Sequence, residues 1–276
     1  MRDEQTTRAL ERIANALERL SPAVQDAPAL ESGSAFHWNG QQLVAVDNFE
    51  PIGLDLLTAI ERQKEKLWVN SERFADGFAA HDVLLWGSRG MGKSALSKSV
   101  IRALQQKHKN IVLVEVGADQ LASLPDLFAK LQNIDRAFVL FIDDIGFDEG
   151  KAAPRILRSV LEGGAASRPE NIRLYVTSNR RHILPRHMSE QEDPINPRDV
   201  IDDKLALSDR FGLRLGFHAA SQEDYLAMIA RYGEVHGLDY DPQEALTWAK
   251  QRGHRSGRVA WQFIVELAGR AGKKLS

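Results

Sequence analysis

The sequence contains no cysteine in 276 residues. That excludes disulfide staples and thiolate metal sites, and it agrees with a reducing compartment. A signal-peptide core is also missing, because the opening stretch MRDEQTTRALERIANALERL carries charges throughout. No uninterrupted apolar run approaches the ~20 residues needed to span a bilayer. Neither sign of charge is in excess, with 36 Lys and Arg against 38 Asp and Glu. The whole chain is therefore not a polybasic nucleic-acid coat, although local patches remain open. These absences lead to the expectation of a soluble, cytoplasmic protein with no membrane partner. The length suits one large or two linked units, and 43% hydrophobic residues supply a core of ordinary size.

The most informative stretch is His81–Ser99. A short apolar run, Val83-Leu84-Leu85-Trp86, leads into Gly87-Ser88-Arg89-Gly90-Met91-Gly92-Lys93-Ser94. This fits the phosphate-binding pattern G-x-x-x-x-G-K-[ST] at every fixed position. Glycines let the backbone curl around a phosphate with its N–H groups pointing inward. Lys93 would reach the outer phosphates of a nucleotide, and the Ser94 hydroxyl would ligate Mg²⁺. Ala95–Gln106 behind the loop reads as a helix, so the loop has the strand-to-helix context that a chance glycine-rich turn lacks.

Around this loop the chain alternates. Residues Thr7–Leu20 place Leu10, Ile13, Leu17 and Leu20 on one helical stripe, suited to packing or to oligomer contact. Ser21–Ser34 reads as a linker. Asn39-Gly40 between Ala35–Trp38 and Gln41–Val46 signals a two-residue hairpin, a small β element ahead of the main unit. Leu56–Phe78 reads as helical. Asn110–Val116, Phe138–Ile142 and Ile172–Thr177 are apolar strands, Leu121–Leu131 and Pro154–Leu161 helices, and Leu213–Phe217 a last short strand. Strands apolar on both faces and alternating with helices argue for a parallel sheet covered on both sides. From Ser221 onward the pattern is helical only, with a capped start at Ser221–Asp224 and segments at Asp241–Gln251 and Ser256–Arg270.

Several polar residues stand at the ends of these elements. Asp143 ends an apolar strand, where a P-loop enzyme holds Mg²⁺ through a carboxylate. Asp144 follows it and is placed to orient, or accept a proton from, a water attacking the γ-phosphate. Two strand-end acids capping the next helix would look the same locally. Asn179 ends the third apolar strand, a position from which a side chain could touch both γ-phosphate and water, although Ser-Asn after a strand is often only a turn. Arg210, in Ser208-Asp209-Arg210-Phe211-Gly212, suits a finger that neutralises transition-state charge in a neighbouring subunit; the alternative is a surface arginine in an ion pair. Arg258 heads the last helix and could reach the phosphates from the helical unit. It also belongs to a basic stretch, because Lys250–Lys274 holds seven Lys and Arg against the single acid Glu266.

With these features in this order, the chain resembles the AAA+ ATPases, and most closely the bacterial AAA+ family known as domain of unknown function 815. The residues carrying the likeness are LLWGSRGMGKS, FIDDIGFDEG, SVLEGG, TSNRRHILPR, LALSDRFGL and HRSGR, and the likeness runs from Phe36 to Ala268. The resemblance implies an α/β fold with a five-stranded parallel sheet in the order 5-1-4-3-2, followed by a helical lid. Boundaries then fall at 1–34 for the N-terminal helix and linker, 35–50 for the hairpin, 51–220 for the nucleotide-binding unit and 221–276 for the lid. It further implies that Gly87–Ser94 is Walker A, Asp143 and Asp144 Walker B, Asn179 sensor 1, Arg210 the arginine finger and Arg258 sensor 2, with ATP and Mg²⁺ bound. Leu57 and Ile60 become adenine contacts by the same likeness, but Ala59 stands where the family commonly has glycine. Gly117-Ala118-Asp119-Gln120 replaces the aromatic pore loop of protein-threading relatives, which argues against an unfoldase.

The leading expectation is an oligomeric Mg²⁺-dependent ATPase acting on a protein or nucleic-acid partner, with its sites formed between identical subunits. A nucleotide switch or nucleic-acid loader with little hydrolysis is the alternative. A small-molecule P-loop kinase ranks last, since no separate acceptor site is evident.

Overall fold

The computed structural model describes residues 30, 32–146, 152–162, 168–179 and 207–275. The expected helix over Thr7–Leu20 and most of the linker after it lie outside the described residues.

Among the described residues the strands are β1 (Ala35–Trp38), β2 (Leu43–Ala45), β3 (Val83–Gly87), β4 (Ile111–Val116), β5 (Ala137–Ile142), β6 (Ile172–Ser178) and β7 (Leu213–Phe217). Among the described residues the helices are α1 (Glu61–Ala75), α2 (Lys93–Gln106), α3 (Leu124–Leu131), α4 (Ala152–Leu161), α5 (Gln222–His236), α6 (Pro242–Gln251) and α7 (Gly257–Arg270). One sheet collects all seven strands in the order β2-β1-β4-β5-β6-β3-β7. Every neighbouring pair is parallel except β1 with β2. The five strands from β7 to β4 carry the 5-1-4-3-2 order of the expected fold.

Seven strands rather than five is a correction, and its cause is the hairpin. β1 does not stand apart; it pairs in parallel with β4, Phe36 opposite Val114 and Trp38 opposite Val116. This covers the edge that β4 would otherwise leave unpaired. Burial drives the pairing, since Phe36 and Trp38 are both fully buried and the indole Nε1 of Trp38 donates to Ser123 Oγ at 2.7 Å. The turn also differs. Trp38 faces Leu43, so four residues form the loop, and the Asn39 side-chain oxygen accepts from the N–H groups of Gln41 and Gln42.

The expected double-sided burial is present. All six residues of β5 are buried, as its unbroken apolar run requires. Alternate residues feed two cores. Val83, Leu85, Leu113, Val139 and Tyr175 join α1, α2 and the C-terminal helices. Leu84, Val112, Val114, Leu140 and Leu174 join α3 and α4 on the opposite face. Three helix starts in the C-terminal part read directly from their caps. Ser221 and Asp224 form a reciprocal capping box, Asp241 accepts from the N–H groups of Gln243 and Glu244, and Ser256 accepts from that of Val259.

The region expected as one helix from Leu56 begins later. Leu54–Leu56 is a 3-10 turn, Ala59 takes a left-handed φ of 64°, and α1 starts only at Glu61. The Glu61 carboxylate accepts the Ala59 N–H at 3.2 Å, fixing the break. Leu121–Leu131 is likewise divided, into a 3-10 stretch over Ala118–Ser123 and then α3 with Pro125 in its first turn.

Candidate functional site

The loop Gly87–Ser94 joins the end of β3 to the start of α2. Its glycines are required by space and by backbone conformation. At Gly87, with φ 121°, an added Cβ would lie 2.0 Å from the Phe217 carbonyl oxygen of β7. At Gly90, with φ 77°, it would lie 2.9 Å from Ser256 Oγ. Gly92 caps α2 in a left-handed conformation with no side-chain acceptor, which leaves the first N–H groups of the helix free and its positive end bare. That is an anion-binding geometry.

Lys93 is buried and folds back onto the loop, where its ammonium donates to the carbonyls of Gly87 at 2.9 Å and Ser88 at 2.8 Å. Burial lowers its pKa to about 8; Asp144 and Asp143 act in the opposite direction, and Arg258 and Arg89 add to the lowering. A nucleotide phosphate would supply the compensating charge.

Sheet order brings the remaining groups together, because β5 and β6 are neighbours and β3 follows β6. Polar residues at the C-terminal ends of these strands therefore converge beside the loop. The Ser94 hydroxyl donates to Asp143 Oδ1 at 2.6 Å. Asp144, in a left-handed conformation with φ 53°, accepts from Asn179 Nδ2 at 2.6 Å. Thr177 was not anticipated from the sequence. Its hydroxyl donates to Asp143 Oδ1 at 2.5 Å and accepts the Asp144 N–H at 2.8 Å. The one available signal was a threonine inside an otherwise apolar buried strand, where a hydroxyl requires a partner.

A cavity of ≈ 820 Å³ opens onto these groups. Arg89–Ser94, Asp143, Asp144 and Asn179 line one end of it. Leu57 and Ile60 line its wall, and both reach the position a Cβ on Gly92 would occupy, at 3.7 and 3.6 Å. Arg258 lines it from α7, with its backbone N–H donating to the Gly90 carbonyl at 3.2 Å. Met228, Tyr232 and His236 of α5, with Trp261 of α7, add a wall that the sequence reading had not assigned. Gly87 and Ser88 do not line the cavity; their carbonyls hold Lys93. Arg210 is not brought to this cavity. It pairs with Glu162 just after α4 at 2.7 Å and is about half exposed. The sequence-predicted residues thus fall into one assembled group and a single outlying arginine.

A family model described as "Protein of unknown function (DUF815)" matches residues 31–271. No curated protein matches the chain. Among solved structures the chain is similar to the Thermotoga maritima RuvB Holliday junction branch migration motor, with 21% identity over 82% of this chain and 68% of that one and a TM-score of 0.52. It is also similar to the Aeropyrum pernix Orc1 protein solved in complex with DNA, with 15% identity over 82% of this chain and 66% of that one and a TM-score of 0.54. These likenesses concern the fold.

Proposed function

The chain belongs to the DUF815 family and has the AAA+ P-loop fold, and from that premise we propose that it is a Mg²⁺-dependent ATPase whose complete sites lie between identical subunits. The observation that carries the reading is the convergence of Lys93, Ser94, Asp143, Asp144 and Asn179 on the lining of one cavity. The triphosphate would lie against Gly87–Ser94 and the bare N-terminus of α2, with the base between Leu57, Ile60 and the α5–α7 wall.

The donor set fits Mg²⁺. Ser94 Oγ and Asp143 Oδ1 are already 2.6 Å apart and both are oxygens. Among the described residues no group of three or more His, Asp or Glu would hold an ion unaided. One carboxylate and one hydroxyl suit a cation that keeps waters and phosphate oxygens as its other ligands. Bound there, Mg²⁺ would neutralise phosphate charge. Asp144 orients the attacking water and takes up its proton, and Asn179 holds the Asp144 carboxylate in place. Lys93 moves from the loop carbonyls to the phosphates. Arg258 approaches from α7 and links nucleotide state to the position of the C-terminal helices, which act as a lid.

Arg210 lies off the cavity of its own chain, which supports its use as a finger toward a neighbour's γ-phosphate. In the assembled protein the resulting motion acts on a macromolecular partner. Steady-state ATPase assays on the wild type and on Lys93→Ala, Asp144→Asn and Arg210→Ala test the reading. Lys93→Ala loses nucleotide binding, and the other two bind ATP but turn over little. A specific activity independent of protein concentration and unchanged by Arg210→Ala contradicts the shared site.

A further inference from the structure

The turn between α6 and α7 concentrates cations that have no acidic partner among the described residues. Residues 245–265 contain no Asp or Glu. Lys250, Arg252, His254 and Arg255 are exposed. Most other arginines at the surface of this region are neutralised: Arg231 pairs with Asp55 and Glu234, and Arg270 pairs with Glu244 and Glu266. In the turn, by contrast, Arg252 stacks over the Trp248 ring at 3.3 Å and contacts the Trp248 carbonyl. Among the described residues Arg255 reaches only the Ala220 carbonyl, at 3.4 Å. These contacts hold the guanidinium groups without cancelling their charge. Within the expected basic surface over Lys250–Lys274, Arg270 is occupied by acids, while Lys273, donating to the Gly237 carbonyl, and Lys274 stay exposed at the far end of α7 with no acidic partner among the described residues.

The turn is also clamped to the phosphate loop. Gly90 accepts the Arg258 N–H, a Cβ on Gly90 would meet Ser256 Oγ at 2.9 Å, and one on Gly257 would meet the Gly90 carbonyl at 3.3 Å. Loop and turn are therefore in direct backbone contact here.

We propose that the exposed turn Lys250–Arg255 binds the phosphate backbone of a nucleic acid, and that the Gly90 contact makes this binding depend on the nucleotide at Gly87–Ser94. Closely spaced cations with no acids between them fit repeated phosphates, and stacked arginine keeps its donors available for them. The direct surface claim stands apart from the ATPase reading; the nucleotide dependence rests on it.

The test is fluorescence anisotropy of the full chain with a labelled DNA single strand and with the matching duplex, over a salt series. It is run with and without a non-hydrolysable ATP analogue, alongside direct binding of that analogue. Three phosphate contacts give a log–log salt slope of about −3 on duplex, shallower on single strand. The analogue tightens binding by about fivefold or more. Lys250→Glu/Arg252→Glu/Arg255→Glu loses DNA binding while analogue affinity and oligomer mass stay unchanged, and Lys130→Glu, an exposed change on α3, leaves DNA binding intact. The surface claim is overturned by salt-insensitive or absent binding, by an unaffected triple variant, by a triple variant of altered mass, or by equal competition from polyglutamate. DNA binding indifferent to a bound analogue overturns the coupling. Failure of the wild type to bind the analogue at all counts against the ATP site, and the anisotropy still decides the surface.

Discussion

The Thr177 hydroxyl donates to Asp143 Oδ1 across 2.5 Å and accepts the Asp144 N–H at 2.8 Å, so one side chain of β6 holds both acids at the end of β5. Thr177 is 1% exposed, whereas the two acids it holds are exposed and Asp143 keeps its bond from Ser94. Thr177→Val keeps the shape and deletes both bonds. We predict a stability loss of about 0.5–1.5 kcal/mol by chemical denaturation. Turnover falls on the order of 10²-fold through displacement of the acid pair, with nucleotide affinity less affected. Thr177→Ser restores most of the turnover, which a packing defect alone does not allow.

On the proposed reading, Lys93 sets a pH limit on nucleotide binding. Burial lowers its pKa to about 8 in the free protein, and phosphates favour its charged form. Between about pH 7 and 8 the ammonium is largely charged, so its contribution to affinity changes little. Above pH 8 binding must take up a proton, and affinity falls by up to about tenfold per pH unit. Calorimetry in buffers of different ionisation enthalpy reads this uptake directly. Lys93→Arg stays charged throughout and removes the break at pH 8, whatever its effect on affinity itself.

Ala59 occupies a left-handed conformation with φ 64° next to Leu57 and Ile60. A Cβ there costs roughly 1 kcal/mol or more, whereas glycine adopts the same backbone freely. Ala59→Gly therefore gains up to about 1 kcal/mol in urea unfolding, less the entropy glycine restores to the unfolded chain. A loss of stability contradicts the assignment of strain.

Arg210 and Glu162 form a half-exposed pair at 2.7 Å, which is worth little to the fold. Glu162→Gln is predicted to change the unfolding midpoint only slightly. If the pair parks the finger, the same variant alters turnover at fixed nucleotide occupancy, read as a change in kcat with KM nearly constant.

Much of the candidate site's placement was legible before the fold. The phosphate loop is a contiguous pattern whose glycines each meet a local demand, as Gly87 against Phe217 illustrates. Strands β4, β5 and β6 announced themselves by unbroken apolar runs, and Asp143 and Asn179 were recognisable because they end such runs. What stayed hidden depends on contacts between distant segments. Nothing within Ala35–Trp38 states that it pairs with Ile111–Val116, so the hairpin read as separate. Asn39-Gly40 suggested a tighter turn, but the Asn39 side chain instead organises a four-residue loop. The helical periodicity of Leu56–Phe78 concealed a break, because Ala59 favours helix in isolation and is overruled by tertiary fit. Thr177 went unmarked because its partners come from another strand.

The shared site is the central claim, and mixing two defective proteins tests it most directly. Arg210→Ala keeps an intact Asp144, and Asp144→Asn keeps an intact Arg210, so each pure oligomer lacks one half of every site. Co-assembled, an Arg210→Ala subunit can receive the finger of an Asp144→Asn neighbour. The account predicts that ATPase activity, near zero in each protein alone, reappears on mixing and is greatest near equal proportions. Mixed oligomers that stay inactive at every ratio, or an Arg210→Ala protein fully active alone, would contradict it.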